Sequence, residues 1–198
     1  KYFHENEYHT PLNFKRSIWD ILSFGTSFYF KMGFIRYVIL KRRLAFANNY
    51  GTAQWAKSSY EIFRFSEKCG GKYHITGFEF VDHVKDEPVV FISNHMSTLE
   101  TMVFPCLIAP VKEVTFVVKE TLTTSKVFGP IMRARNPIAV GRKDSRKDLL
   151  TVLTEGQQKL KEGTSVIIFP QSTRKPDLKP EEFNSLGVKL AQKAGVKI

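Results

Sequence analysis

His95 stands at the end of the apolar run Val89-Val90-Phe91-Ile92-Ser93, and Glu100 follows it five residues later. A carboxylate at that spacing, on a helix opening after a strand, can fold back on the imidazole. It would keep one ring nitrogen protonated and leave the other free to take a proton. That arrangement suits a general base acting on a hydroxyl, an effect of typically about 10²–10⁴-fold. Taken alone, a His near a Glu is more often a satisfied structural pair. A second segment, Asn136-Pro137-Ile138-Ala139-Val140-Gly141-Arg142, ends an apolar run in Gly-Arg. Its guanidinium is well suited to a phosphate, although a lone arginine is more often a surface residue. The third segment is Phe169-Pro170-Gln171-Ser172-Thr173-Arg174, in which Pro170 stops a strand and residues with donors or charge follow. Such a loop can form a pocket for a phosphate or polar headgroup.

The elements around these segments must bring them together. Pro88–Ser93, Glu113–Val118, Pro137–Val140 and Ser165–Phe169 read as short, continuously apolar strands of the kind buried on both faces. Between them lie helices: Ser97–Phe104, ended by Pro105; Ser145–Lys161, with Ser145 and Asp148 as a capping box and Gly163 as its stop; and Asn184–Lys193, stopped by Gly195. This alternation predicts an α/β domain with a largely parallel sheet flanked by helices. In such sheets ligands bind beyond the carboxyl ends of the strands, which is where all three segments fall.

Ahead of Lys72 the chain reads differently. Residues 1–13 are polar and read as a loose lead-in. Phe14 to Leu44 is apolar and rich in aromatics, but Asp20, Lys31 and Arg36 interrupt it. A span needs ~20 consecutive apolar residues, so a helix lying in a membrane interface fits better, its basic residues meeting the headgroups. Ala45–Lys68 reads as a second helix stopped by Gly70-Gly71, and the two form a membrane-associated helical hairpin. The expected division is therefore 1–71 and 72–198. The 198 residues carry 30 Lys and Arg against 19 Asp and Glu, a formal charge of +11, which points to anionic partners. The basic residues are spread along the chain without a nucleic-acid motif, so a nucleic-acid-binding or non-catalytic membrane-surface role ranks below an enzyme. Cys69 and Cys106 have no metal or redox spacing, and the five histidines are scattered, so no metal site is expected. The final Val196-Lys197-Ile198 reads as the start of a strand, which suggests a chain truncated at its C-terminus.

Together the segments carry more weight than each alone. Asn94-His95 through Glu100, Val118-Lys119-Glu120, Phe128-Gly129-Pro130 with Ile138 through Arg142, and Phe169 through Arg174 follow one another in the order of the glycerolipid acyltransferase motifs. Over residues 72–198 the chain resembles that family, which includes bacterial 1-acyl-sn-glycerol-3-phosphate acyltransferase. The resemblance implies a glycerol-3-phosphate acyltransferase-like fold and transfer of an acyl group from acyl-ACP or acyl-CoA to the sn-2 hydroxyl of lysophosphatidic acid, giving phosphatidic acid. It implies His95 as base, Glu100 as its orienting carboxylate, and Lys119, Arg142 and Arg174 as cations for the acceptor phosphate, with Gln171, Ser172 and Thr173 shaping the pocket. It implies no cofactor beyond the thioester co-substrate, no nucleic acid, and a peripheral or monotopic place on the cytoplasmic face of an inner membrane. Two departures stand out. Glu100 replaces the usual Asp, and Gln171-Ser172 replaces the usual Glu-Gly, which opens the alternative of another lysophospholipid or hydroxylated lipid as acceptor.

Overall fold

The structure is a computed structural model, and it describes residues 1–24, 26–171 and 173–198. In chain order the elements are β1 (Glu7–His9), α1 (Ile18–Leu22), α2 (Phe28–Phe46), α3 (Thr52–Lys68), β2 (His74–Thr76), α4 (Phe78–His83) and β3 (Val90–Ile92). Then come α5 (Leu99–Ile108), β4 (Val114–Lys119), α6 (Glu120–Thr124), α7 (Gly129–Ala134), β5 (Ile138–Val140), α8 (Ser145–Lys161), β6 (Ser165–Ile168) and α9 (Leu186–Ala194). Strands β3, β6, β4 and β5 lie in that order in one sheet, every neighbouring pair parallel. The α/β architecture is the one read from the sequence.

Two cores sandwich this sheet, and the strand period of two divides them. Val90, Val166 and Ile168 point to one face, where Val152 and Leu160 of α8 and Leu190 of α9 bury them. Ile167 and Phe116 point to the other, against Trp55 and Ala56 of α3, Ile108 of α5 and Ile131 of α7. Because the strands are parallel, Ile92, Lys119, Val140 and Ile168 end at one edge, and all three chemical segments emerge there.

Several details differ from expectation, each for a physical reason. The N-terminal lead-in is ordered: β1 pairs antiparallel with β2, and Tyr2, Phe3 and Tyr8 pack around the buried Phe63. Helix α3 is not the arm of a free hairpin. It packs chiefly on α5, so its aromatic residues Trp55 and Phe63 serve the core, while α2 also meets α7. The core therefore runs across the Gly71–Lys72 junction. Pro105 does not end its helix but sits inside α5. Ser59 of α3 repairs the turn around it: its hydroxyl donates to the Met102 carbonyl and accepts from the Cys106 N–H at 2.9 Å. That side chain bridges the very pair an uninterrupted helix would bond directly. At α8 the N-cap is Asp144, whose carboxylate accepts from the Arg146 and Lys147 N–H groups, in place of the expected Ser145–Asp148 box.

Candidate active site

His95 follows β3, and its neighbour in the sheet is β6, so the loop after β6 lies alongside it. Phe169, directly after β6, stacks under the imidazole with ring centroids 4.3 Å apart. Phe169 in turn stacks on Phe116, which meets Trp55 edge-on, so an aromatic column roots the imidazole in the core. The backbone is tied as well. The Lys175 N–H donates to the His95 carbonyl at 3.0 Å, and the His95 N–H donates to Gln171 Oε1. That bond fixes the Gln171 amide, since only its oxygen can accept. The Gln171 Nε2 then points away, buried and without a partner, in a side chain only 3% exposed that lines the cavity described below.

Glu100 Oε2 lies 3.8 Å from His95 Nδ1, in ion-pair range but longer than a hydrogen bond. Its carboxylate accepts from the Met96 and Ser97 N–H groups at 2.9–3.1 Å and from the Ser97 hydroxyl. Glu100 thus holds the His95–Ser97 turn as well as facing the ring. Burial pushes the His95 pKa below its ordinary value; Glu100 opposes this, and Arg174 and Arg142 reinforce it. The ring is therefore neutral at pH 7, the state in which a nitrogen can accept a proton.

The cations come from three other segments. Lys119 closes β4, paired in register with Val140 of β5, and its side chain is exposed. Two residues past Val140, Arg142 has a left-handed backbone, φ 59°. The Asp148 carboxylate secures that turn, one oxygen accepting from the Gly141 N–H at 3.0 Å and the other from the Arg142 N–H at 2.8 Å. Such a pair of bonds offsets the cost of a left-handed non-glycine residue. Arg174 reaches across to donate to the Thr98 hydroxyl at the start of α5. Thr173 is exposed beside it, and Ser172 lies outside the described residues.

A cavity of about 1090 Å³ opens at these groups. His95, Lys119, Arg142, Gln171, Thr173 and Arg174 line it together, so the fold gathers every described residue singled out for binding or base catalysis except Glu100, which faces His95 from behind. Away from the strand ends the walls are Phe34, Val38, Trp55, Phe116, Phe128 and Ile131, supplied by α2, α3, β4, α7 and the residue that precedes α7. This volume lies slightly above the usual range for small-molecule sites, about 300–1,000 Å³. A cationic mouth on a long apolar interior matches an amphiphile with an anionic head. Two contributors were not foreseen from sequence. Asp148 reads from sequence as part of a cap, and Phe169 reads as a strand end opening the third segment, with nothing to show that its ring lies under the imidazole. The cysteines stay out of the chemistry, as burial pushes the Cys69 thiol up to about 11 and that of Cys106 up to about 12.

Comparison with known proteins agrees with this geometry. Residues 72–198 match the family model described as Acyltransferase. A 1-acyl-sn-glycerol-3-phosphate acyltransferase of Pseudomonas aeruginosa is 31% identical over 130 residues, covering 66% of this chain and 48% of the relative. One of Chlamydomonas reinhardtii is 32% identical over 113 residues, covering 57% of this chain and 33% of the relative. The chain therefore spans between a third and a half of the length of these curated relatives. The crystal structure of the 1-acyl-sn-glycerophosphate (LPA) acyltransferase PlsC from Thermotoga maritima superposes with a TM-score of 0.59 at 22% identity, covering 90% of this chain and 71% of that one, a likeness of fold.

Proposed function

Because this chain belongs to the acyltransferase family, we propose that it transfers a fatty acyl group from a thioester to the sn-2 hydroxyl of 1-acyl-sn-glycerol 3-phosphate, forming phosphatidic acid. The observation that carries this reading is the His95 imidazole, its pKa held below the ordinary value by burial, in one large apolar cavity with Lys119, Arg142 and Arg174. The acceptor phosphate binds those cations, the arginines offering paired donors to its oxygens. The apolar walls take acyl chain, each buried CH₂ contributing about 0.8 kcal/mol.

Glu100 favours the tautomer with a proton on Nδ1, which leaves Nε2 as base. As the hydroxyl oxygen attacks the thioester carbonyl, its proton passes to Nε2, and Glu100 stabilises the imidazolium. The tetrahedral intermediate collapses, the carbon–sulfur bond breaks, and the departing sulfur takes the proton from His95. No acyl-enzyme forms, because the acceptor is itself the nucleophile. The donor is acyl coenzyme A or acyl carrier protein. With such a donor, we assign the reaction to the cytoplasmic face of a membrane.

The acceptor phosphate is the sharpest point to test. Thiol release in detergent should depend on lysophosphatidic acid and fall at least about 100-fold with uncharged monoacylglycerol, a difference of about 2.7 kcal/mol in transition-state stabilisation. Equal rates with both acceptors would remove the role given to Arg142 and Arg174. A second reading rests on Gln171, a buried amide with a spare donor in the cavity where the family resemblance leads one to expect an acid. It allows another lysophospholipid as acceptor, and activity with lysophosphatidylcholine or lysophosphatidylglycerol but not lysophosphatidic acid would favour it.

A further inference from the structure

The β1–β2 ribbon carries a second group of chemically able side chains. Successive residues of a strand face opposite ways. Tyr8 and Ile75 face inward: Tyr8 meets the Phe63 ring edge-on at 5.3 Å and its hydroxyl donates to the buried Glu67 at 2.6 Å. Their inward packing fixes Glu7, His9 and His74 on the outer face. The register sets His9 directly opposite His74, and the two imidazoles stack with centroids 4.1 Å apart. Glu7, two residues earlier on the same face, brings Oε2 to 3.6 Å from His9 Nε2. One ligand atom from each of the three side chains lies within 4.8 Å of the others.

We propose that Glu7, His9 and His74 form a binding site for a borderline divalent transition-metal ion such as Zn²⁺, with water completing its shell. Two imidazoles and one carboxylate select this class, since Mg²⁺ and Ca²⁺ favour oxygen ligands throughout. Zinc–nitrogen bonds of about 2.0–2.1 Å need the three atoms closer together than they now stand. Side-chain rotation supplies that movement, because all three residues are exposed while their backbone is held by the ladder and by Tyr8. The histidines are far apart in the sequence, so ligand spacing along the chain cannot show the site; strand register makes it. None of the three lines the large cavity. The ion therefore acts on architecture, cross-linking β1 to β2 and fastening the segment that precedes α1 to the rest of the fold.

Thermal unfolding of the metal-stripped chain, with and without ZnCl₂, tests this. At Zn²⁺ about 100-fold above its Kd, the midpoint should rise by roughly 5 °C or more, and the same concentration of MgCl₂ should leave it unchanged. Direct titration should find one Zn²⁺ per folded chain. His9→Ala and His74→Ala should each remove both the rise and the stoichiometric binding, while His83→Ala keeps them. If either alanine variant folds poorly, His74→Phe retains a stacking ring without a ligand and should behave as His74→Ala does. A wild-type chain that binds no Zn²⁺, or a Zn²⁺-dependent rise that persists in the variant lacking both histidines, would overturn the assignment.

Discussion

Burial and two arginines hold the His95 ring neutral against the pull of Glu100, and the balance has a measurable sign. The ring's pKa lies below 6.5, chiefly through burial, with Glu100 raising it and Arg174 and Arg142 lowering it. The neutral ring is the active form, so kcat/KM should be flat near neutrality and decline only below pH 6.5, as the imidazole becomes protonated. In Glu100→Gln the opposing charge is gone, which lowers the pKa further. The acid limb should then move to lower pH while kcat falls about tenfold or more, through loss of imidazolium stabilisation. An acid limb that stayed in place would show that Glu100 acts only through the Met96–Ser97 turn. Much of this site was legible in the sequence, because His95, Lys119, Arg142, Gln171 and Arg174 each fall at or just beyond a strand end. What stayed hidden were residues acting through others. Asp148 offers a carboxylate near a helix start, as Asp144 does, and no local rule tells which one caps and which one secures the Gly141–Arg142 turn.

Elements were legible in proportion to how local their causes are. The four sheet strands are buried apolar runs, and α8 has a cap, an amphipathic face and a glycine stop, so pattern alone finds them. The strand β1 has three residues and exists because β2, far along the chain, pairs with it. Pro105 reads locally as a helix stop for a related reason: the group that lets α5 continue is the Ser59 hydroxyl on α3. Ser59→Ala should leave the Cys106 N–H buried and unpaired, lowering stability by about 1–3 kcal/mol. Chemical denaturation would measure it, and a loss within error of zero would mean that α5 closes the turn unaided. A closer contact joins α2 to α3, where the Phe65 ring lies on Gly33 with no room for a Cβ between them. That contact sets how near α2 approaches the cavity wall it shares with α7.

At the scale of the whole molecule, α1 and α2 leave much apolar surface exposed. Along α2, Phe28, Met32, Ile35, Ile39 and Phe46 are exposed at helical spacing, and Ile18, Trp19, Ile21 and Leu22 of α1 are exposed as well. Among the described residues no helix is long and apolar enough to cross a membrane. Lys15, Arg16, Lys31, Arg36 and Arg43 accompany this surface and are exposed too. A stripe of this kind, flanked by cations, is suited to the interface of an anionic bilayer, and α2 also lines the cavity, so lipid could pass from one to the other. Changing Trp19, Ile35 and Ile39 to Ser should reduce sedimentation with vesicles containing anionic lipid, while activity on detergent-dispersed acceptor stays within about threefold of wild type. Unchanged sedimentation would show that α1 and α2 do not hold the chain on a bilayer. Whether His95 is the base of an acyl transfer is decided by thiol release from acyl coenzyme A or acyl-ACP with lysophosphatidic acid, comparing wild type with His95→Ala. Wild type should show acceptor-dependent release, and a His95→Ala protein that remains folded should lose at least about 10³-fold of it; comparable turnover by the two proteins would rule His95 out as the base.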